Sequence, residues 1–213
     1  MVVILGAGGH AKVLLEILSS RNFAVHAVAA PTLESSSSLL LSKLKYYDNE
    51  NDILMLPPQD VLLINGIGSL PGRVSRQSVF DKFASKGFRF MSVVSDRAIV
   101  SNSCQLGMGV QIMPGAIINA DVQIGDNSII NTGAIIDHDC QLAENNHIAP
   151  GATLSGGVVC GKNVHVGTGA NVIQGIRIGE NSIVGAGATL TRDLNSSEKL
   201  YVARPFVDQR VSK

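Results

Sequence analysis

Residues 112–147 read IMPGAI INADVQ IGDNSI INTGAI IDHDCQ LAENNH, a run of six-residue units without an insertion. The same register continues in both directions and gives seventeen consecutive hexads, of which the first begins at Val94 and the last at Leu190. Sixteen of the leading residues are aliphatic and the other is Cys160. An α-helix repeats near 3.6 residues and a surface strand every two, so a period of six predicts short strands joined by tight turns. Three hexads then close one triangular coil, with the leading residues stacked inside.

Residues 1–90 show a different pattern, in which apolar runs alternate with amphipathic segments. The predicted elements of the chain outside the repeat are strands at Val2–Leu5, Phe23–Ala29, Val61–Asn65 and around Tyr201–Ala203, helices at Lys12–Ser20 and Arg73–Lys86, and a Ser-rich loop at Pro31–Ser38. Alternating strands and helices predict a small parallel α/β sheet. We therefore predict a small Rossmann-like α/β domain over residues 1–90, followed by a parallel β-helix with a C-terminal tail over residues 91–213.

The composition argues against several classes of partner. The 17 basic and 17 acidic residues balance, so no long-range field attracts nucleic acid or an anionic membrane surface. No apolar run approaches the ~18 residues that span a bilayer, and the first apolar run stops at Gly6 without a preceding basic segment. The cysteines, Cys104, Cys140 and Cys160, lack metal-type spacing and fall at core places of the repeat. We therefore expect a cytoplasmic protein that neither inserts into a membrane nor binds nucleic acid.

A glycine turn follows the first predicted strand, with the sequence Gly6-Ala-Gly-Gly-His-Ala11. Glycines permit a tight turn, and the amino terminus of the helix that follows favours an anionic group. A dinucleotide site also requires an acidic residue at the end of the second strand, where this chain has Ala30-Pro31. The turn therefore favours a small ligand that bears phosphate or carboxylate over NAD. A purely structural turn is the alternative.

Three of the five histidines fall in the repeat, and His138 has the surroundings expected of a base. It occupies the third place of its hexad, which points out of the coil, and its neighbours one coil away are Ala120 and Gly156. Small neighbours leave room for a ligand. The adjacent Asp139 would accept a hydrogen bond from one imidazole nitrogen, so that the other is free to take a proton. A surface histidine beside a solvated aspartate is the alternative interpretation.

His147 and His165 occupy the same place in adjacent coils, so their side chains are expected to stack. Two stacked imidazoles are possible metal ligands, but no third ligand aligns with them. We therefore expect no metal at this position.

The repeat over residues 94–195 resembles that of the bacterial hexapeptide-repeat transferases, whose fold is the left-handed parallel β-helix. With the glycine turn and the stretch NTGAIIDHDC at Asn131–Cys140, the whole chain is similar to a narrower family, the two-domain sugar acyltransferases. These include bacillosamine and perosamine N-acetyltransferases and sialic acid O-acetyltransferases. The resemblance implies a homotrimer with its active sites between adjacent β-helices, and acetyl-CoA as the acyl donor.

The resemblance also implies roles for individual residues. His138 matches the general base of the family, and Asp139 matches the acid that orients it. The implied contacts of the sugar nucleotide are Gly8, Gly9, His10, Gly68, Ser69 and Asn131. The implied contacts of the coenzyme are His147, Gly156, Ala186 and Arg204. Arg204 is included only because its positive charge suits a phosphate of the coenzyme. His165 is expected to be a solvated neighbour of the coenzyme cleft.

The function that the resemblance implies is acetylation of the amino group of a UDP-type amino-deoxy sugar in surface glycan biosynthesis. Two departures from the family pattern bear on the ligands. UDP-sugar members carry one or two aspartates where this chain has Ala30-Pro31, and they end in a V-G-x-P-A turn where this chain has Val202–Phe206. The first departure favours the alternative of O-acetylation of sialic acid or a related sugar. A non-catalytic scaffold that binds nucleotide sugars is a second alternative.

Overall fold

Two architectures follow one another along the chain in the computed structural model, which describes residues 1–31, 41–73 and 75–202. A five-stranded parallel sheet with helices comes first, and a stack of two-residue strands begins at Val93. The prediction of a small Rossmann-like α/β unit followed by a left-handed parallel β-helix is confirmed. No helix among the described residues has the length and apolar content that a bilayer span requires.

The α/β region is built around one parallel sheet. Its elements are β1 (Val2–Leu5), α1 (Gly9–Ser20), β2 (Ala27–Ala29), β3 (Lys45–Tyr47), α2 (Asn51–Leu54), β4 (Leu62–Asn65), α3 (Ser75–Ala84) and β5 (Arg89–Phe90). The strands pair in the order β3-β2-β1-β4-β5. This order reverses between β1 and β4, and sheets of this kind bind ligands at the carboxyl ends of the strands that flank the reversal.

Several boundaries in the α/β region differ from the predicted ones, among them those of α3, which spans Ser75–Ala84 and is shorter than the predicted helix. Helix α1 begins at Gly9 and not at Lys12, so Gly9 and His10 form its first turn. Strand β2 begins at Ala27 and not at Phe23, because pairing with β1 starts only at Ala27. Strand β3 and helix α2 come from a segment whose sequence pattern is weak, and the predicted loop Pro31–Ser38 lies almost wholly outside the described residues.

The β-helix has three faces, each a parallel sheet. Face 1 consists of β6 (Val93–Val94), β9 (Gln111–Ile112), β12 (Ile129–Ile130), β15 (His147–Ile148), β18 (His165–Val166), β21 (Ile183–Val184) and β23 (Lys199–Leu200). Face 2 consists of β7 (Ile99–Val100), β10 (Ile117–Ile118), β13 (Ile135–Ile136), β16 (Thr153–Leu154), β19 (Asn171–Val172) and β22 (Thr189–Leu190). Face 3 consists of β8 (Gln105–Leu106), β11 (Gln123–Ile124), β14 (Gln141–Leu142), β17 (Val159–Cys160) and β20 (Arg177–Ile178).

The second residue of each strand is a leading residue of the sequence repeat, and these residues line the core. Ile112, Ile130 and Ile148 are fully buried and stack in register on face 1. The turns between faces 3 and 1 place an asparagine in the left-handed region in four successive coils, where Asn is tolerated better than most residues. These four residues, called the asparagine column below, are Asn127, Asn145, Asn163 and Asn181.

The predicted strand around Tyr201–Ala203 is wrong. The strand lies instead at Lys199–Leu200, because Leu200 continues the inward column above Val184. Tyr201 and Val202 are exposed and not in a strand, and Ala203 lies outside the described residues.

The first residue of each strand points outward, and its chemistry distinguishes the three faces. Face 1 is covered by the α/β region, with Val93, Met113 and Ile129 in one apolar cluster with residues of β1 and α1. The outward positions of face 2 begin with the column Ile99, Ile117 and Ile135, whereas those of face 3 begin with Gln105, Gln123 and Gln141. One chain therefore leaves an apolar strip uncovered on face 2.

Candidate active site

The glycine turn forms an uncapped helix terminus at the reversal point of the sheet. No side chain caps α1, and its first turn contains no acidic residue, so its free N–H groups favour an anion. A Cβ added at Gly8 or Gly9 would meet no atom within 4 Å, which leaves open space against this terminus. Gly66, in the turn after β4, is required by close packing, because a Cβ there would lie 2.6 Å from Cγ2 of Ile4.

A hydrogen-bonded chain joins this turn to face 1 of the β-helix. His10 Nε2 lies 2.7 Å from Oε1 of Gln111, whose Nε2 donates to the carbonyl oxygen of Asn65. Because the Gln111 amide nitrogen is committed to Asn65, its oxygen accepts, and neutral His10 carries its proton on Nε2. Burial and the charge of Arg76 lower the pKa of His10 to about 4. At neutral pH His10 is therefore uncharged, with Nδ1 as its lone-pair nitrogen.

Arg76 of α3 anchors the same interface from the other side. Its Nη1 donates to the carbonyl oxygens of Asn65 and Ile67, and its Nε donates to that of Asn127. The side chain of Asn65 donates to Oδ1 of Asn127 at 3.0 Å. The guanidinium is buried and binds only carbonyl groups among the described residues, and its Nη2 has no partner. A buried polar network of this kind holds the turn after β4 rigidly against the β-helix.

His147 lies under this interface in its neutral form. The Oδ1 of Asn131 accepts the N–H of Thr132, so Nδ2 of Asn131 is left to donate to Nε2 of His147, 3.0 Å away. His147 Nδ1 must then carry the proton, and it lies beside the backbone of Ser69. Burial, with His165 as the next cause, lowers the pKa of His147 to about 3. His147, Asn131 and Ser69, three of the predicted site residues, are thus brought together.

His165, which was expected to be solvated, is half-buried. Its ring packs edge to face against that of His147, with centroids 4.9 Å apart, and its Nδ1 is buried without a hydrogen bond. Burial lowers the pKa of His165 as well. The reason is tertiary, since the turn after β4 and the start of α3 approach the strand that carries His165.

His138 and Asp139 form a pair at the corner between faces 2 and 3. Nδ1 of His138 is 2.7 Å from Oδ2 of Asp139, which has a φ of 59°. The His138 backbone N–H donates to Oδ1 of Asp137, and this carboxylate also accepts from Nδ2 of Asn119. The hydrogen bond to Asp139, followed by the charge of Asp137, raises the pKa of His138. Both side chains of the pair are mostly exposed, so Nε2 of His138 is free to meet a ligand.

Gly156 supports the His138 ring from the next coil. A Cβ at Gly156 would lie 2.7 Å from both Cε1 and Nε2 of the ring, closer than such contacts occur. The backbone at Gly156 is not in the left-handed region. The glycine is therefore required because its missing side chain leaves space for the His138 ring. Gly156, one of the two small neighbours predicted for His138, is therefore in direct contact with its ring.

With His138 as the predicted base, we expect Gly156→Ala to lower turnover about a hundredfold, because a displacement of such a group by about 1 Å has an effect of that order. The chain should fold normally, since the ring is exposed and able to move away. The control is the same substitution in a His138→Ala background, where no ring opposes the new methyl group. Steady-state rates and melting temperatures of the four proteins test this. Equal turnover of Gly156→Ala and wild type would contradict it.

The predicted site residues form two separate groups in one chain. Gly8, Gly9, His10, Gly68 and Ser69 lie in the two turns at face 1, next to His147, and Asn131 and Ala186 lie at the corner between faces 1 and 2. His138, Asp139 and Gly156 lie at the opposite edge of face 2. Arg204 lies outside the described residues.

No group of three or more metal-ligating side chains converges among the residues described. Cys140 and Cys160 are buried as predicted, and burial raises the pKa of both thiols. Cys104 is only partly buried, because it lies in the first coil, where no earlier coil covers it.

The hexad repeat matches a known protein family. The family described as "Bacterial transferase hexapeptide (six repeats)" matches residues 103–138, 121–156 and 157–192. None of the curated proteins compared with the chain matches it by sequence. Among solved structures, a histidine-to-asparagine variant of perosamine N-acetyltransferase from Caulobacter crescentus, in complex with CoA and GDP-perosamine, is 39% identical, with a TM-score of 0.83. The match covers 93% of this chain and 91% of that one.

The chain belongs to the two-domain hexapeptide-repeat sugar acyltransferase family. As a member of this family it is an enzyme, an acyltransferase. The acetyltransferase domain of PglB from Neisseria gonorrhoeae, in complex with acetyl coenzyme A, is 28% identical with a TM-score of 0.84, over 93% of this chain and 94% of that one. WeeI from Acinetobacter baumannii shares the fold at 20% identity and a TM-score of 0.81, over 93% and 95% of the two chains.

Sequence reasoning missed the residues that hold the two parts of this acyltransferase together. These are Asn65, Arg76, Gln111 and Asn127. Two of them left a signal in the sequence: Asn65 ends a strand beside the reversal point, and Gln111 takes an outward place on the face where Val93 and Ile129 are apolar. Arg76 left no such signal, because an arginine on a helix is ordinarily exposed to solvent.

Proposed function

We propose that the chain transfers the acetyl group of acetyl-CoA to the amino group of a nucleotide-linked amino-deoxy sugar, with His138 as the general base. The observation that supports this most directly is the His138–Asp139 pair held over Gly156 at an exposed corner. The relatives that share the fold and 39% or 28% of the sequence were solved with CoA and GDP-perosamine or with acetyl coenzyme A. Such a reaction serves surface glycan biosynthesis in the cytoplasm.

The geometry assigns each nitrogen of His138 a task. Asp139 accepts the Nδ1 proton, so Nε2 bears the lone pair in the neutral ring. Nε2 takes a proton from the substrate amine while the amine nitrogen attacks the thioester carbonyl. The thiolate of CoA then leaves and is protonated, and the amide remains on the sugar. Burial lowers the pKa of His147 and that of His10, so these rings bind a proton weakly and are poor alternatives as the base.

The α/β region supplies the place for the nucleotide. The uncapped terminus of α1, with Gly8 and Gly9 open to solvent, suits the diphosphate of a sugar nucleotide. His10, Gly68 and Ser69 border the same crevice, and Asn131 and His147 form its floor on the β-helix. The sugar would thus extend from the sheet toward face 1.

Since the base and this crevice lie at different edges of face 2, we propose that a homotrimer completes each site. If three copies turn face 2 toward a common axis, the corner with His138 in one subunit meets the corner with Asn131 and Ala186 in the next. The outward residues Ile99 and Ile135 are 67% and 36% exposed in one chain, which is the apolar surface that such packing would bury. CoA would lie between the two corners, against Gly156, Ala186 and His147.

The raised pKa of His138 sets the expected pH dependence. Only the neutral ring accepts a proton, so kcat/KM should fall as the pH falls through a pKa above the ordinary 6.5. Asp139→Asn removes the largest cause of the shift, and Asn tolerates the left-handed φ at this position. The acidic limb of the profile should therefore move to lower pH in this variant. If the acidic limb lay at the same pH in wild type and variant, a group other than His138 would control it.

The proposed reaction is tested by thiol release from acetyl-CoA with a panel of acceptors. The panel contains GDP- and UDP-linked 4-amino sugars, CMP-sialic acid and free sialic acid. Turnover with an amino sugar, together with loss of the free amine, supports N-acetylation. A folded trimer that binds CoA and acetylates none of the amino sugars would contradict the proposal.

O-acetylation of sialic acid or a related sugar is the second candidate, favoured by the end of β2. Ala30 is buried there and its carbonyl oxygen accepts from the Tyr46 hydroxyl, and no acidic side chain follows it where UDP-sugar relatives have one. Turnover confined to sialic acids would establish this candidate. A non-catalytic scaffold would show no thiol release, whatever the acceptor.

A further inference from the structure

A second cleft lies on the side of face 1 that is remote from face 2. It has a volume of about 390 Å³ and is enclosed by the segment Ser69–Arg73, the start of α3, the asparagine column and the outward residues of β18, β21 and β23. A volume of this order accommodates a small organic ligand. Because the proposed subunit contact involves face 2 and its two edges, this cleft would stay open in the trimer.

The lining of the cleft is positively charged. Arg73, Arg76 and Lys199 all contribute to it, and none of its lining residues is an aspartate or glutamate. Neither Arg73 nor Lys199 forms an ion pair with another described residue. An uncompensated group of cations in a partly enclosed cleft raises the local concentration of anions.

Arg76 gives the cleft a buried and uncompensated charge. The residue is 5% exposed, its charge is opposed only by backbone carbonyls, and Nη2 has no hydrogen-bond partner. Burial of a charge without a counterion is costly, so an anion placed against this wall is stabilised by more than a surface contact would give. His165, whose Nδ1 also lacks a partner, lines the same cleft.

The asparagine column adds donors that the protein leaves unused. Nδ2 of Asn127 donates to Oδ1 of Asn145, and Nδ2 of Asn163 donates to Oδ1 of Asn181. The series is interrupted between Asn145 and Asn163, so among the described residues Nδ2 of Asn145 and Nδ2 of Asn181 have no acceptor. Both residues line the cleft. Amide donors beside arginine and lysine match the oxygens of a phosphate group.

We propose that this cleft is a second ligand site, which adjoins the nucleotide crevice at Ser69 and binds the phosphate group of a small phosphorylated molecule. Arg73 and Lys199 contact the phosphate from the rim, Arg76 supplies the buried charge, and the free amide groups of the asparagine column donate to the remaining phosphate oxygens. Binding of phosphate at this site requires neither His138, nor the trimer, nor the proposed acceptor.

Isothermal titration of the full chain with inorganic pyrophosphate tests the proposal. The measurement uses a Gly9→Asp background, which places a negative charge at the terminus of α1, where a Cβ meets no atom, and so blocks the crevice of the acetylation site. Pyrophosphate should still bind this protein. Adding Arg73→Gln and Lys199→Gln should weaken binding about a hundredfold, since two charge-assisted hydrogen bonds are lost.

The matched control carries Arg177→Gln and Lys86→Gln, two exposed cations away from the cleft, and should bind pyrophosphate as its parent does. Titrations with UDP and with glucose 1-phosphate then separate the two sources of phosphate, a nucleotide and a sugar phosphate. Tighter binding of either one than of pyrophosphate supports the site. Loss of all binding in Gly9→Asp, or equal affinity of the cleft variant and the control, would overturn the proposal.

Discussion

His138→Ala should lower the turnover of acetyl transfer by about 10²–10⁴-fold, the range expected when a general base is removed. The affinity for CoA and the proposed trimeric state should not change, because the ring is exposed and contacts the chain mainly through Asp139 and Gly156. Single-turnover rates with saturating acetyl-CoA measure the chemical step directly. A variant that kept its full rate would exclude His138 as the base and assign that role to another group.

Asp139→Asn is the matched comparison for this result. The amide keeps the shape of the side chain and the left-handed backbone conformation but carries no charge. We expect a smaller loss than for His138→Ala, of about tenfold to a hundredfold, because Nε2 remains in place as a weaker base. A loss equal to that of His138→Ala would mean that the two residues act as one unit.

Ile135→Asp should dissociate the proposed trimer and abolish turnover. The residue is the last of the outward isoleucine column of face 2 and belongs to the third of its six strands, where a charge would be desolvated in the packed assembly. Light scattering measures the mass, and thiol release measures the activity of the same samples. Gln123→Asp is the control, because it puts the same charge at the equivalent strand position on polar face 3. A trimeric and active Ile135→Asp protein would place the subunit contact elsewhere.

Mixed trimers distinguish a shared site from one within a single chain. His138→Ala subunits lack the base, whereas Gly9→Asp subunits lack the nucleotide crevice, and each homotrimer should be inactive. After random mixing in equal amounts, about a quarter of the interfaces in a cyclic trimer would combine one intact half from each variant. Recovery of activity to about that level supports the shared site. Recovery of none would indicate that each chain holds a complete site.

The fold followed from local patterns wherever those patterns were strong. Seventeen hexads determined the inward columns, such as Ile112, Ile130 and Ile148, because a coil with one buried side chain per strand tolerates no slip in register. The sequence pattern did not predict strands whose position depends on pairing with a strand distant in the chain. Strand β3 exists because it pairs with β2, and β23 lies at Lys199–Leu200 because Leu200 covers Val184.

The candidate site divides in the same way. The sequence alone placed His138 beside Asp139 and across from Gly156, because a fixed period converts spacing along the chain into contact between coils. The sequence could not show that His147 is buried beside the half-buried His165, that Arg76 is enclosed among carbonyls, or that the predicted residues separate to two edges of one face. These features depend on how the α/β region packs on face 1. That packing is a contact between segments distant in the chain, and no local pattern encodes it.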